Sequence, residues 1–183
     1  MMSIRKFANK CPKIHASAYI DEQACVIGEV SIGENSSLWP MAVARGDVNS
    51  IKIGKNSNIQ DGSILHVTHK GEYSNGAALI IGDNVTVGHG VLLHGCTIGN
   101  NCLIGMGAIV MDNCVIEDYV MIAAGAVVPP NKRIKTGELW LGNPAKKVRN
   151  LNAQQKKQLE YSASHYAQIA KRYRQQAQLS YES

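Results

Sequence analysis

Aliphatic residues recur at every sixth position along most of this chain. The interval is plainest over residues 98–128, and it also runs through 53–65 and 81–93. A period of six is neither the 3.6 of a helix nor the 2 of a flat strand. It is typical of a solenoid with three short strands and roughly 18 residues per coil, one aliphatic side chain of each strand pointing inward. The pattern predicts an all-β fold, the left-handed parallel β-helix.

Corners and ends of the coils are also marked in the sequence. We expect tight corners at the glycines that follow inward residues, namely Gly33, Gly54, Gly82, Gly88, Gly99 and Gly105. The period begins loosely at Ile14 and is interrupted near Trp39 and Pro40. Two consecutive prolines cannot continue a hydrogen-bonded ladder, so Pro129 and Pro130 are expected to end the coils.

After about residue 152 the apolar spacing becomes helical, with Leu159, Tyr166 and Tyr173 on one face. Asn152 is suited to cap this C-terminal α-helix, which would run to about residue 178 along the prism. The chain then divides into 1–135, an N-terminal arm with the β-helix, and 136–183, a connecting turn with the helix packed on the same domain.

Composition narrows the function classes. The net charge of +5 comes largely from the C-terminal third, where a solvated helical face explains it better than nucleic-acid binding. Cys96, Cys102 and Cys114 occupy a small apolar position of the repeat, which favours core packing over disulfides or zinc–thiolate sites. No signal peptide and no apolar run of about 18 residues is present, so we expect a cytoplasmic protein without a membrane span.

Two histidines hold the same place in their hexapeptides, because His66 and His94 each follow an inward leucine. The inward residue expected near position 71 is missing and the next is Ile81, so about ten residues within 69–78 must be looped out. Without them, His66 stacks on His94 at about the 4.8 Å strand spacing. Imidazoles that close can converge on one metal ion.

A third histidine, His89, follows Gly88 on the preceding column, about a third of a turn away. It cannot easily reach the same ion within its own chain, but it could reach the ion of a neighbour if prisms pack around a three-fold axis. The sequence therefore predicts a metal at a subunit boundary, held by His66 and His94 of one chain and His89 of the next.

Polar residues nearby fit such a site. Arg45 and Asp47 could pair, with Arg45 offering a fork to a carboxylate or a bound anion. Gln60 and Asp61 could hydrogen-bond a metal-bound water or the second N–H of a ligating imidazole. Alternatively, Arg45, Asp47 and Asp61 form an ion network between subunits, and both interpretations can hold together.

Several of these motifs together resemble the gamma-class carbonic anhydrases, most closely the compact bacterial carbonic-anhydrase-like subgroup. They are Arg45-x-Asp47, Ile53-Gly54, Asn58-Ile59-Gln60-Asp61, His66, Gly88-His89 and His94-Gly95. The resemblance runs from about residue 10 to 144–146 and, in that subgroup, into the C-terminal helix.

The resemblance implies a homotrimer of left-handed β-helices with three metal sites between subunits. It assigns His66, His89 and His94 as ligands of Zn²⁺, or alternatively of Fe²⁺ or Co²⁺. Gln60 would orient the metal-bound water or bicarbonate. Arg45 and Asp61 would serve the interface and the architecture of the site, with Asp47 close by. The implied activity is that of a zinc-dependent lyase, which interconverts carbon dioxide and bicarbonate through a metal-bound hydroxide.

The chain departs from the best-characterised members of that family in two places. Val48 stands where they carry glutamate, and the loop 67–78 is shorter than their acidic loop, leaving Glu72 or His69 as candidate proton shuttles. Two alternatives therefore stay open. One is a catalytically silent metal-binding homologue that binds a small anion, a thioester or a protein partner. The other is a hexapeptide-repeat acyltransferase that uses acyl-CoA, with a histidine as general base.

Overall fold

The structure is a computed structural model that describes residues 3–179, and side chains as far as 176. Residues 1–2 and 180–183, the outermost parts of the two predicted segments, lie outside the described residues. Most strands are short, in keeping with three strands per coil. In chain order they are β1 Ile4–Arg5, β2 Lys13–Ile14, β3 Tyr19–Ile20, β4 Cys25–Ile32, β5 Ser37–Leu38, β6 Val43–Ile53, β7 Asn58–Ile59, β8 Ile64–His66, β9 Thr68–Gly71, β10 Ser74–Ala77, β11 Leu79–Ile81, β12 Thr86–Val87, β13 Leu92–His94, β14 Thr97–Ile98, β15 Leu103–Ile104, β16 Ile109–Val110, β17 Val115–Ile116, β18 Met121–Ile122, β19 Val127–Val128, β20 Arg133–Ile134, β21 Glu138–Leu141 and β22 Lys146–Asn150.

Each coil strand pairs in parallel with the strand one coil further along, which confirms the predicted left-handed parallel β-helix. The aliphatic residues of the period form three buried columns. One column holds Leu65, Leu93, Val110 and Val128, the second Ile53, Ile81, Ile98, Ile116 and Ile134, and the third Leu38, Ile59, Val87, Ile104 and Ile122. Each of these side chains is at most 2% exposed. The interior of the prism is thus a stack of aliphatic side chains.

The corner glycines work differently from the prediction. None of the six glycines that follow inward residues has a positive φ, and the left-handed residue comes two positions later, as at Asn84 (φ 56°). Gly82 is instead required by the next coil, because a Cβ there would lie 2.8 Å from the carbonyl carbon of Gly99. Close approach of successive coils, rather than backbone freedom, therefore explains glycine at this position.

Two irregularities of the period have structural causes. The interruption near Trp39 leads into β6, which runs through a corner without a break beside β4, with a register shift between Gly28 and Val30. The prediction that Pro129 and Pro130 end the coils is wrong, since β20 and β21 continue the parallel pairing to Trp140. The prolines follow β19, the last strand of its column among the described residues, where no further strand requires their N–H.

The predicted C-terminal helix is present as α1, Ala153–Leu179, about 40 Å long at 1.5 Å per residue. Asn152 caps it as predicted, because its Oδ1 accepts from the Gln155 N–H at 2.8 Å. The helix contacts β3, β5, β7 and β12 on one face of the prism. Tyr166 and Tyr173 pack edge-on against Trp39, with centroids 5.7 and 5.2 Å away. The helix therefore covers part of this face and leaves the part at β15 and β18 open.

The remaining composition predictions concern cysteines and membranes. Cys96, Cys102 and Cys114 are buried and reduced, as fillers of the core. Within residues 3–179, no helix is both long and apolar enough to cross a bilayer.

Candidate metal centre

The two histidines predicted to stack do so. His66 on β8 and His94 on β13 are direct cross-strand partners, one coil apart. Their ring centroids are 5.1 Å apart, and Nδ1 of His66 lies 3.1 Å from Nε2 of His94. The ten residues between them that break the period form an antiparallel hairpin of β9 and β10. The looped-out insertion inferred from spacing is therefore confirmed.

Each of these rings has a carboxylate on its other nitrogen. Asp47 Oδ1 lies 3.1 Å from His66 Nε2, and Asp112 Oδ1 lies 2.8 Å from His94 Nδ1. A carboxylate can only accept, so each of these ring nitrogens carries the proton and the opposite nitrogen of a neutral ring keeps its lone pair. Consequently the two lone-pair nitrogens are the ones that face each other.

Two facing lone pairs repel unless a proton or a cation lies between them. Two nitrogens bound to one zinc ion at about 2.0–2.1 Å in tetrahedral geometry are about 3.3–3.4 Å apart. The observed 3.1 Å between the two histidines is close to that separation. A carboxylate on the remote nitrogen is also the usual support of a metal-ligating imidazole. The donor set therefore fits a divalent metal of the zinc type.

Arg45 supports the first carboxylate. Its Nη1 donates to Asp47 Oδ2 at 2.6 Å, which confirms the predicted pair. Burial opposes ionisation of Asp47, but hydrogen bonds from Arg45 and His66 outweigh it, so the pKa of this carboxyl lies below its ordinary value. Asp47 is thus held as an anion against His66.

Thr68, the first residue of the hairpin, supports the second carboxylate. Its hydroxyl donates to Asp112 Oδ1 at 2.9 Å, and its carbonyl accepts from Asn49 Nδ2 at 3.1 Å. The base of the insertion is thereby tied both to the carboxylate behind His94 and to β6. This explains how a looped-out segment can adjoin the paired histidines without disturbing them.

The third histidine stands apart from the other two. His89 Nδ1 lies 2.9 Å from Asp61 Oδ2, and both side chains are nearly half exposed, at 46% and 47%. Asp61 therefore occupies one ring nitrogen, as predicted for the support of a ligating imidazole. Within residues 3–179 no group of three metal-binding side chains converges. His89 thus does not join His66 and His94 within one chain.

A groove of about 470 Å³ adjoins His89 on the face that the helix leaves open. Its apolar part is formed by Leu103, Ile104, Met106, Met121 and Ile122, and its polar part by Gln60, Thr86 and Ser162. Among the described residues Gln60 has no hydrogen bond to an imidazole, and its Nε2 donates to Asn58 Oδ1 at 3.0 Å. Gln60 is therefore a wall of the groove rather than a support of a ring.

Asp112 and Thr68 were not predicted from the sequence. Asp112 was open to prediction, since it follows His94 by 18 residues, one coil length. The same count relates Asp61 to His89, 28 residues apart, which is 18 plus the ten of the insertion. Nothing in the spacing marks Thr68, because its contact depends on how the hairpin leaves the prism.

Two candidate proton shuttles lie on the hairpin. Glu72 is in the exposed turn between β9 and β10, six residues from His66 and thus about 20 Å away along an extended strand. His69 lies on β9 and is exposed. Tyr161 on α1 is 67% exposed and stacks on His165, in contrast to Tyr166 and Tyr173.

Known proteins resemble this chain over most of its length. Residues 95–130 match the family model for the bacterial transferase hexapeptide (six repeats). Protein YrdA of Escherichia coli K12 is 48% identical over 164 residues, 89% of each chain. Gamma carbonic anhydrase 1, mitochondrial, of Arabidopsis thaliana is 44% identical over 88% of this chain, which spans 59% of that protein. A crystal structure of a putative acetyltransferase from Bacillus cereus superposes with a TM-score of 0.88 at 39% identity, covering 93% of this chain and 95% of that one.

Proposed function

Because the chain belongs to the gamma carbonic anhydrase family of hexapeptide-repeat proteins, we propose that it is a metal-dependent lyase interconverting carbon dioxide and bicarbonate. The observation that carries the proposal is the pair of lone-pair nitrogens on His66 and His94, 3.1 Å apart and each backed by a carboxylate. Two ligands leave a divalent ion incomplete. The proposal therefore includes a homotrimer, in which His89 of a neighbouring subunit is the third ligand.

The surrounding residues have supporting roles in this proposal. Asp47, Asp112 and Asp61 hold the three rings in the tautomer and orientation that ligation requires. Arg45 keeps Asp47 ionised. Zinc, or alternatively Fe²⁺ or Co²⁺, would supply the Lewis acidity that makes water a nucleophile at neutral pH. Gln60, on the wall of the groove, would bind and orient bicarbonate.

Export of the proton that hydration releases is the step that the side chains near the site support least. Val48, 47% exposed, takes the place of an acidic side chain next to Asp47. Glu72 lies at the far end of the hairpin. We therefore expect turnover to depend on the concentration of an external buffer, since buffer must remove the proton that hydration releases.

The test is stopped-flow hydration of carbon dioxide by protein loaded anaerobically with Zn²⁺, Fe²⁺ or Co²⁺. We expect buffer-dependent turnover by the wild type and by His165→Ala, whose exposed ring lies on the helix. His94→Ala should lose both the metal and the activity. Wild-type turnover no faster than that of His94→Ala would contradict the lyase.

The same variants separate the two alternatives. A silent homologue would retain one metal per site and bind bicarbonate, but it would show no turnover. That outcome is favoured by Val48. An acyltransferase would bind CoA in the groove beside His89, and it would do so without metal. Calorimetric titration with CoA after removal of metal by a chelator distinguishes it from both metal-dependent functions.

A further inference from the structure

A chain of hydrogen bonds links the C-terminal helix to Gln60. Ser162 Oγ on α1 lies 3.1 Å from the hydroxyl of Thr86, which accepts from Asn58 Nδ2 at 3.1 Å. Asn58 Oδ1 in turn accepts from Gln60 Nε2 at 3.0 Å. Thr86, Asn58 and Gln60 are at most 5% exposed, so water competes little for these bonds.

The polarity of this chain follows from its donors and acceptors. The amide nitrogen of Asn58 donates to Thr86 Oγ1 and, at 3.4 Å, to the Val85 carbonyl, so its oxygen must face Gln60. A reversed Gln60 amide would bring two carbonyl oxygens to 3.0 Å without a proton between them. Gln60 is thus fixed with its nitrogen toward Asn58.

The atom of the Gln60 amide that points away from Asn58 is consequently the carbonyl oxygen, Oε1. Among the described residues, every side-chain oxygen that is shielded from solvent has a hydrogen-bond partner. A side-chain oxygen without a partner must therefore be accessible to solvent. Gln60 Oε1 accepts from no group of the described residues, while Gln60 lines the groove beside His89. The groove therefore receives a hydrogen-bond acceptor from Gln60.

Ser162 is the partner of the Thr86 hydroxyl on the side of the helix. Because Thr86 Oγ1 accepts from Asn58 Nδ2, the Thr86 proton is directed away from Asn58, and Ser162 Oγ, 3.1 Å away on the helix side, is placed to accept it. Without Ser162, that proton can rotate toward Asn58, and the two amides can then reverse together. Among the described residues Ser162 has no hydrogen bond to a histidine or to Gln60, so the hydrogen-bonded route from Ser162 to Gln60 passes through Thr86 and Asn58.

We propose that Ser162 is a positioning residue that, through Thr86 and Asn58, presents the carbonyl oxygen of Gln60 to the groove and thereby selects a ligand with an O–H donor. Bicarbonate carries such a proton, whereas nitrate is a planar anion of similar size without one. A reversed amide would offer N–H donors and accept both anions. This inference rests on the proposed function for the identity of the ligand but not for the orientation of the amide.

Side-chain amide NMR of Gln60 tests the orientation without metal or turnover, its signals being assigned by their loss in Gln60→Glu. In the wild type one amide proton should be shifted downfield and protected from exchange. Ser162→Ala and Thr86→Val should reduce this protection, and Ser162→Thr should restore it. Ser164→Ala is the matched control, because Ser164 is exposed and its hydroxyl bonds only to the Tyr161 carbonyl within the described part of the helix. Unchanged Gln60 signals in both Ser162→Ala and Thr86→Val would overturn the proposal.

Calorimetric titrations of the metal-loaded proteins with bicarbonate and with nitrate test the selectivity. Ser162→Ala should lower the ratio of bicarbonate to nitrate affinity about five- to tenfold, the effect expected of one hydrogen bond. Ser162→Thr and Ser164→Ala should keep the wild-type ratio. A wild-type ratio in Ser162→Ala would refute the selectivity even if turnover is normal. A changed ratio in a protein without turnover would support this inference and refute the lyase.

Discussion

The coils that carry the histidines share one interior with the plain coils of residues 97–134, which contain no histidine but supply Asp112 to His94. The two regions differ on the outside. Leu93 precedes His94, and Ile116 belongs to a plain coil. Both side chains are at most 1% exposed, and they lie in neighbouring columns of the same core. Outside the core, the histidine coils carry carboxylate–imidazole pairs, from the mostly buried Asp47–His66 to the half-exposed Asp61–His89. In the plain coils the carboxylate of Glu117 instead accepts from Arg133 Nε and from the Thr136 N–H, so it is paired with neighbours in its own corner.

This comparison separates stability from chemistry within one repeat. The inward residue of each hexapeptide contributes to stability, because it fills the same aliphatic columns in both regions. Chemistry resides in the two positions that follow the inward residue, because side chains there lie outside the core. His66 and His94 take the first of these positions and stack one coil apart, and His89 takes the second. A solenoid can therefore acquire a metal site by changing outward positions alone.

The largest expected effect tests whether the interior is equivalent in the two regions. Leu93→Ala and Ile116→Ala should each lower the free energy of unfolding by about 2–5 kcal/mol, since both remove a fully buried branched side chain. Urea unfolding at one protein concentration measures both. A loss confined to one region would break the comparison.

A second change tests whether the outward carboxylates serve the metal. Asp112→Asn should weaken metal binding about 10–100-fold, because the amide no longer fixes the His94 tautomer. Asp118→Asn is the matched control in a plain coil, where Asp118 accepts from the Asn100 N–H. Competition with a chelating dye measures both affinities. Equal affinities would show that the carboxylate behind His94 does not support the metal.

The smallest expected effect concerns polar atoms in the plain coils. Burial raises the pKa of the Cys102 thiol to about 12 and also raises that of Cys114. Both thiols are 1% exposed and burial disfavours their thiolates, so Ellman's reagent should modify exposed Cys11 in the folded protein but leave Cys102 and Cys114 unreacted until denaturant is added. Rapid reaction of Cys102 at pH 8 would contradict a closed interior.

Much of the fold could be predicted because period six leaves few alternatives. The same count placed His66 over His94 and required the hairpin between them. Two expectations failed where packing between coils decides the outcome. Gly82 is required by its neighbour coil rather than by its own φ, and Pro129 is harmless because its column ends there.

The site was less predictable than the fold. Arg45, Asp47 and Asp61 could be identified from their motifs, and Asp112 follows from the coil length. Thr68 and Ser162 could not be identified, since one depends on the path of the hairpin and the other on the rotation of α1 against the prism. The six-residue repeat specifies neither the path of the hairpin nor the rotation of α1.

The central claim is that each metal is held by two chains. Native mass spectrometry combined with metal analysis tests it on the wild type and on His89→Ala, with His165→Ala as control. We predict a trimer with one metal per chain for the wild type and the control, and for His89→Ala a loss of metal accompanied by weaker assembly. A His89→Ala protein that retains one metal per chain, or a wild type that is a metal-free monomer, would contradict the account.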